Sequence, residues 1–317
     1  MNTIEYQAEK NIMVPSPFHL DENWCIQIAN HNRNCTHNEI DTLTMKKILN
    51  YTDFEILKLL AVYRYINTHN LEFALRHILP ECYIKTDYKQ NLHKLTHAGL
   101  LLKHRLYQRS ENAVYCTPVS PLCFYSLSPG AYSYIAPLVE SPYSISSALP
   151  DYMVMEQLAT AQLLIQAQAS YKDSIRIYYR NVRKKIGTHT FTMDAVIRFF
   201  TYAAEPPHSI TLFLLCGRSH GESQKSLLSR IWLLFRWLEK HHDEYGQFMI
   251  LILVECFKDI PIISHNIAVS QKDCFTFPLY YAVDTDLLTA PLFDRLYQCF
   301  ETESSSKSTV EQIKVHL

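Results

Sequence analysis

The stretch that decides the fold runs over residues 88–107, YKQNLHKLTHAGLLLKHRLY. Tyr88, Leu92 and Leu95 are spaced i, i+4, i+7, the apolar stripe of a helix. Gly99 stands where a helix C-cap glycine belongs. The opposite face carries Lys89, Gln90, His93, Lys94 and His97. Leu100–Lys103–Arg105 then reads as a strand, QRSEN (108–112) as a turn and Ala113–Thr117 as the returning strand. Upstream, Thr52 ahead of Asp53 and Glu55 marks a helix start, and Ile56, Leu59, Leu60, Tyr63 and Ile66 form its apolar face. A second helix is predicted over Asn70–Leu79, stopped by Pro80. Three helices followed by a hairpin make a winged helix-turn-helix. In that arrangement the third helix enters the major groove and the hairpin touches phosphate.

Charge agrees with this reading. Between Arg76 and Arg109 seven Lys/Arg (Arg76, Lys85, Lys89, Lys94, Lys103, Arg105, Arg109) face two acids, Glu81 and Asp87, a local net of +5. Such a patch supplies salt-dependent phosphate affinity, while Gln90 and Lys94 have chemistry suited to base edges. The bland alternative is a winged helix used for protein contact with a solvated basic face. Over the whole chain 30 Lys/Arg nearly balance 31 Asp/Glu, which excludes a globally basic nucleic-acid coat.

The run NLHKLTHAGLLLKHRLY, followed by VYCTPVS and LSPGAYSYI, resembles the bacterial replication-relaxation family of plasmids and integrative mobile elements. The matching positions are His93 and Lys94 in place of the family's usual basic pair, then Leu95, Gly99, Leu100 and Leu101. The resemblance implies a second domain like the PD-(D/E)xK nucleases and a role in replication, mobilisation or its regulation. Replication or mobilisation proteins are then the expected partners, with double-stranded DNA as ligand.

The residues of the second half are compatible. A helix at about Tyr152–Ala169 precedes strands at Ser174–Tyr179, Phe191–Phe200 and Ile210–Cys216, a long helix Leu227–His241 and a strand Phe248–Val254. Strands alternating with helices indicate an α/β layer structure with a mixed central sheet. In such nucleases one strand delivers an Asp and the next delivers Glu-x-Lys around Mg²⁺. Asp194 sits where the first carboxylate belongs. The following strand offers Leu214, Leu215, Cys216 and Gly217, with no carboxylate from Thr211 to Gly221. Glu222-Ser-Gln-Lys225 and Glu255-Cys-Phe-Lys258 space Glu and Lys by three rather than two, on opposite faces of a strand. The expectation is a pseudo-nuclease scaffold with Asp194 vestigial and neither metal nor cofactor. The competing reading is a divergent Mg²⁺-dependent endonuclease using Asp194 with Glu222 or Glu205. A second basic cluster, Lys172, Arg176, Arg180, Arg183, Lys184 and Lys185 against Asp173, interleaves with Tyr171, Tyr178 and Tyr179. It reads either as a second phosphate surface with stacking platforms or as a solvated hairpin edge.

The fold class expected is therefore α+β: an N-terminal winged helix-turn-helix plus a restriction-endonuclease-like α/β domain. Residues 1–48 read as an extended arm with one short helix, 49–118 as the winged helix, 151–300 as the nuclease-like domain and 301–317 as a polar tail. Residues 119–150 read as a connector, because six of the chain's fourteen prolines and eight serines fall between Pro118 and Pro150. Only six glycines occur, where an average of about 7% would give about twenty-two, and none builds GxGxxG or GxxxxGK[ST]. Nucleotide-driven chemistry through those loops is not expected. Nine cysteines without a CxxC pair and a polar N-terminus fit a reducing cytoplasm. Apolar runs too short to span a bilayer argue against a membrane. Cys25, His31, Cys35 and His37 are zinc-ligand types without knuckle spacing and read as ordinary arm residues. Ser219-His220 lacks a nucleophile elbow, and His241 and His242 read as helix-end cations. Trp232, Phe235 and Trp237 read as core, or as an interface with a second subunit or an adaptor's partner.

Overall fold

A computed structural model describes residues 16–30, 34–85, 87–108, 118–141, 143, 149–201, 208–219, 221–270, 277–301 and 308–315. The chain is α+β and divides into two units. One is Leu20–Ile165, and the other is Gln166–Leu317 with the segment that ends at His19.

In the first unit β1 (Trp24–Ile28) is followed by α1 (His37–Met45), α2 (Tyr51–Tyr63), β2 (Ile66–Asn67), α3 (Thr68–His77), α4 (Pro80–Lys85) and α5 (Tyr88–His97). The hairpin strands β3 (Leu101–Gln108) and β4 (Pro118–Leu127), α6 (Pro129–Ile135) and most of α7 (Asp151–Ser170) complete it. The sheet order is β1-β3-β4-β2, all antiparallel. Ile56, Leu57, Leu60, Leu71, Leu75, Leu92, Leu95, Leu106 and Phe124 form its core. α5 ends as the sequence indicates. Gly99 takes φ 74°, the Leu100 amide donates to the Leu95 carbonyl at 3.0 Å, and the Gly99 amide donates to Thr96 at 3.1 Å.

In the second unit α7 leads into β5 (Ile175–Ile186), β6 (His189–Thr201), β7 (His208–Cys216), α8 (Gly221–His241), β8 (Gln247–Val254), α9 (Asp259–Ser270) and β9 (Leu279–Val283). β10 (Leu296–Glu301) and β11 (Ser308–Ile313) follow. The seven strands lie in sequence order, with β7-β8-β9 parallel and the β5-β6-β7 and β9-β10-β11 flanks antiparallel. One face packs Phe213, Leu215, Ile250, Ile252, Val254, Tyr281 and Val283 against Leu227, Ile231, Leu234 and Leu238 of α8 and Ile260, Ile263 and Ile267 of α9. The alternate residues Leu212, Leu214, Leu251 and Leu253 are also fully buried, so these strands read as unbroken apolar runs. Among the described residues no helix is long and apolar enough to cross a membrane.

Three expectations about segments are corrected. The arm holds the short helix expected of it, α1, closed by a Thr36/Glu39 capping box, but it also contributes a strand, β1, paired along β3. The described part of the Pro/Ser-rich stretch is largely regular. β4 occupies its first third, and Ser128 caps α6 with Pro129 at its first turn, so a proline taken as a breaker starts a helix. The polar tail carries β11, whose Val310 and Ile313 pair with Cys299 and Leu296. The expected turn and return strand at 109–117 lie outside the described residues.

Two consequences for stability follow. A Cβ at Gly130 would sit 1.8 Å from the Cys35 carbonyl oxygen, so the start of α6 meets that backbone at a distance only glycine permits. Gly130→Ala is expected to lower urea-unfolding stability by about 2 kcal/mol or more. His104 is buried with its ring stacked on Phe124 (5.0 Å, 11°) and Nε2 2.8 Å from Ser126 Oγ. Burial pushes its imidazole down to about 4. Its contribution is therefore intact above the unfolded value near ~6.5 and is lost as pH falls through about 4, at a total cost of about 3 kcal/mol. Urea midpoints between pH 7 and 4.5 should depend less steeply on pH in His104→Gln; an unchanged dependence contradicts this.

Candidate nucleic-acid interface

α5 is held from two sides. Asp87 caps its N-terminus, accepting from the Lys89 amide at 3.0 Å. The Tyr88 hydroxyl donates to Glu72 Oε2 of α3 at 2.7 Å, and Glu72 Oε1 accepts from Arg76 at 3.0 Å. Burial and the Glu72 carboxylate raise the Tyr88 phenol above its ordinary range, so it stays a donor. On the α2 side, Asp53 is fully buried. Its Oδ2 accepts from the Asn50 amide at 2.7 Å, completing a capping box with Asn50 Oδ1 and the Asp53 amide at 2.9 Å. Its Oδ1 accepts from Asn91 Nδ2 of α5 at 2.7 Å, and the Lys94 ammonium pairs with Oδ2. Lys94 Nζ also donates to the Ile48 carbonyl at 3.2 Å.

What α5 presents outward is therefore Lys89, Gln90, His93 and His97, all exposed. The His93 and His97 rings stack at 6.5 Å, 18° apart. Lys94, expected on this face, spends its ammonium on Asp53 and Ile48. This corrects its assignment to base edges, since one buried carboxylate outcompetes solvent for the nearest cation. Lys103 and Arg105 lie half-buried on the β3 face opposite His104 and Leu106. Lys85 ends α4, and its side chain, like Arg109, is outside the described residues.

The second basic cluster is thinner than its sequence suggested. Arg180 is buried (5% exposed) and Lys184 Nζ stands 5.0 Å over the Trp237 ring. Lys172, Arg183 and Lys185 are exposed, with Tyr179 61% exposed among them. The Arg176 side chain is not among those described. β5 is a sheet edge, and among its described cations Arg180 and Lys184 are drawn toward the protein while Arg183 and Lys185 face out.

Asp194, on β6, is engaged. Its Oδ2 accepts from the Cys216 amide at 2.7 Å and pairs with Arg230 Nη1 of α8 at 2.8 Å, while Arg230 Nη2 donates to the Cys216 carbonyl at 2.5 Å. Glu222 lies in the first turn of α8, exposed, paired with Lys225 at 2.8 Å. Glu205 and His220 lie outside the described residues. Ser219 donates to Asp259 Oδ1 at 2.7 Å, His242 Nδ1 lies 3.1 Å from the Leu238 carbonyl, and His37 lies 2.6 Å from Ser133 Oγ. Trp237 is core, whereas Trp232 is 38% exposed under the Arg236 guanidinium.

Sequence reasoning missed a polar network where β7, β8 and β9 end. Arg218 Nη1 and Ser16 Oγ both donate to Asp284 Oδ2, at 2.9 and 2.8 Å, and Glu255 pairs with His19. Burial raises the Asp284 carboxyl, and the Arg218 charge opposes that shift. With Phe18 fully buried, the network ties residues 16–19 to the strand ends. The available signal was a charged residue within two positions of the end of each apolar strand.

The Asp194–Arg230 pair, each side chain under one-fifth exposed, should show a coupling of about 1–3 kcal/mol in a double-mutant cycle of Asp194→Asn and Arg230→Leu followed by urea unfolding. A coupling below about 0.3 kcal/mol would mean that the pair does not hold α8 to β6. Compared with known proteins, the chain matches no family model, no curated protein and no solved structure.

Proposed function

We propose that this chain is a non-enzymatic protein that binds double-stranded DNA through α5. The observation that carries the proposal is the outward row Lys89, Gln90, His93 and His97 on a helix locked by Asp53 and Glu72. The order α2-β2-α3-α4-α5-β3-β4, with the short α4 between the second and third main helices, supports a winged helix-turn-helix, with α5 as the element for the major groove and the hairpin beside it for phosphate. Lys89 supplies a phosphate or guanine contact, and the Gln90 amide can pair with an adenine edge.

The second unit supports the nuclease-like reading in its arrangement. A helix is followed by three antiparallel strands, a helix and a parallel strand, with Asp194 on the second strand. Its chemistry supports loss of the reaction. Asp194 is neutralised by Arg230, and Leu214, Leu215 and Cys216, fully buried, stand where hard oxygen ligands are required. This unit then serves as a second DNA contact, through Tyr179, Arg183 and Lys185, or as a partner platform. By the family resemblance, the setting is replication or mobilisation of a plasmid or integrative element.

Fluorescence anisotropy with a labelled duplex tests the proposal. A linear fall of log K with log salt is expected, and Lys89→Glu should weaken binding about tenfold at 0.1 M salt while lowering the slope by about 1. A flat salt dependence would remove the DNA reading. Mg²⁺- or Mn²⁺-dependent cleavage lost in Asp194→Ala would replace it with the endonuclease.

A further inference from the structure

Helix geometry sets what borders the outward face of α5. At about 100° per residue, Lys89, His93, His97 and Gln90 fall in that order across an arc of about 100°, and Lys94 follows on the Gln90 side. Lys94 Nζ reaches the Ile48 carbonyl at 3.2 Å, so the turn between α1 and α2 lies along that edge of the helix. In this turn Lys46 and Lys47 are exposed, as are Met45 (83%) and Ile48 (44%), while Leu49 is buried and anchors it. The turn is closed by the Lys46 amide on Thr42 (3.0 Å) and the Lys47 amide on Thr44 (2.9 Å), with Lys47 at φ 55°. Asp53, which holds Lys94 at this edge, is itself engaged by Asn50, Asn91 and Lys94.

A helix about 10–12 Å across fills a major groove about 12 Å wide. Groups standing beside such a helix therefore meet the phosphate backbone that walls the groove. We infer that the α1–α2 turn is a phosphate clamp of the same DNA site, with Lys46 and Lys47 gripping the strand on the Gln90 side of α5. Met45 and Ile48 supply apolar atoms that pack on deoxyribose. The inference rests on the DNA reading of α5 and adds a contact that lies outside the basic segment from Arg76 to Arg109.

The full chain is titrated with a labelled duplex of about two helical turns across a salt series. Lys46→Gln with Lys47→Gln should lower the slope of log K against log salt by roughly 1–2 and weaken binding about tenfold or more at 0.1 M salt. Both side chains are exposed, so the urea midpoint should not move. Lys47→Gly with Lys46→Gln repeats the test with a residue unstrained at φ 55°. Lys258→Gln, an exposed lysine of the other unit, serves as charge control and should change nothing. A flat salt dependence in the unmodified chain removes the DNA reading altogether. A steep slope that both turn variants leave intact removes the clamp alone and leaves Met45 and Ile48 as a protein-contact face. An equal effect from Lys258→Gln also overturns the clamp, because net charge would then explain the loss.

Discussion

A single buried carboxylate organises the candidate interface. Asp53 closes the first turn of α2 through the Asn50 capping box and simultaneously takes Asn91 and Lys94 from α5. A carboxylate with no exposed surface is tolerable only when its oxygens are filled and its charge is matched. That requirement fixes the rotation of α5 about its axis. With Asn91 and Lys94 turned to Asp53, and Leu92 and Leu95 to the core, Lys89, Gln90, His93 and His97 must face outward. The same lysine reaches the Ile48 carbonyl, so the α1–α2 turn and the helix are positioned together.

Much of this was legible in the sequence, and its limits are physical. The stripe Tyr88-Leu92-Leu95 and the glycine after it determined α5 and its end, because both express backbone geometry. β7 and β8 were legible as apolar runs because both their faces are buried, whereas β9, β10 and β11, shorter and more polar, were not read as strands. The role of Lys94 was not legible, since a residue at the margin of a helical face goes wherever the nearest counter-charge lies. Asp53 read only as a first-turn acid, and the cap proved to be Asn50, two residues before the Thr52 expected. The Pro/Ser content of 119–150 misled because Ser128-Pro129 can open a helix as readily as break one. The α1–α2 turn escaped notice because two adjacent lysines carry no periodicity.

Asp194 makes the complementary point about the second unit. Its carboxylate on β6 is matched by a guanidinium from α8, which also grips the Cys216 carbonyl. The pair's work is to dock a helix on a sheet. Arg218 and Asp284 repeat the device at the strand ends, where it also retains Ser16. In these pairs charge holds elements together, whereas Lys89 on α5 faces water.

The most direct measurement is amide chemical-shift mapping of the full chain during titration with duplex DNA. The account predicts perturbations concentrated on Lys89, Gln90, His93 and His97 and on the Lys46–Lys47 turn. Buried Leu92 and Leu95 should move little. Perturbations absent from α5, or confined to α8 and the strand ends of the second unit, would contradict it.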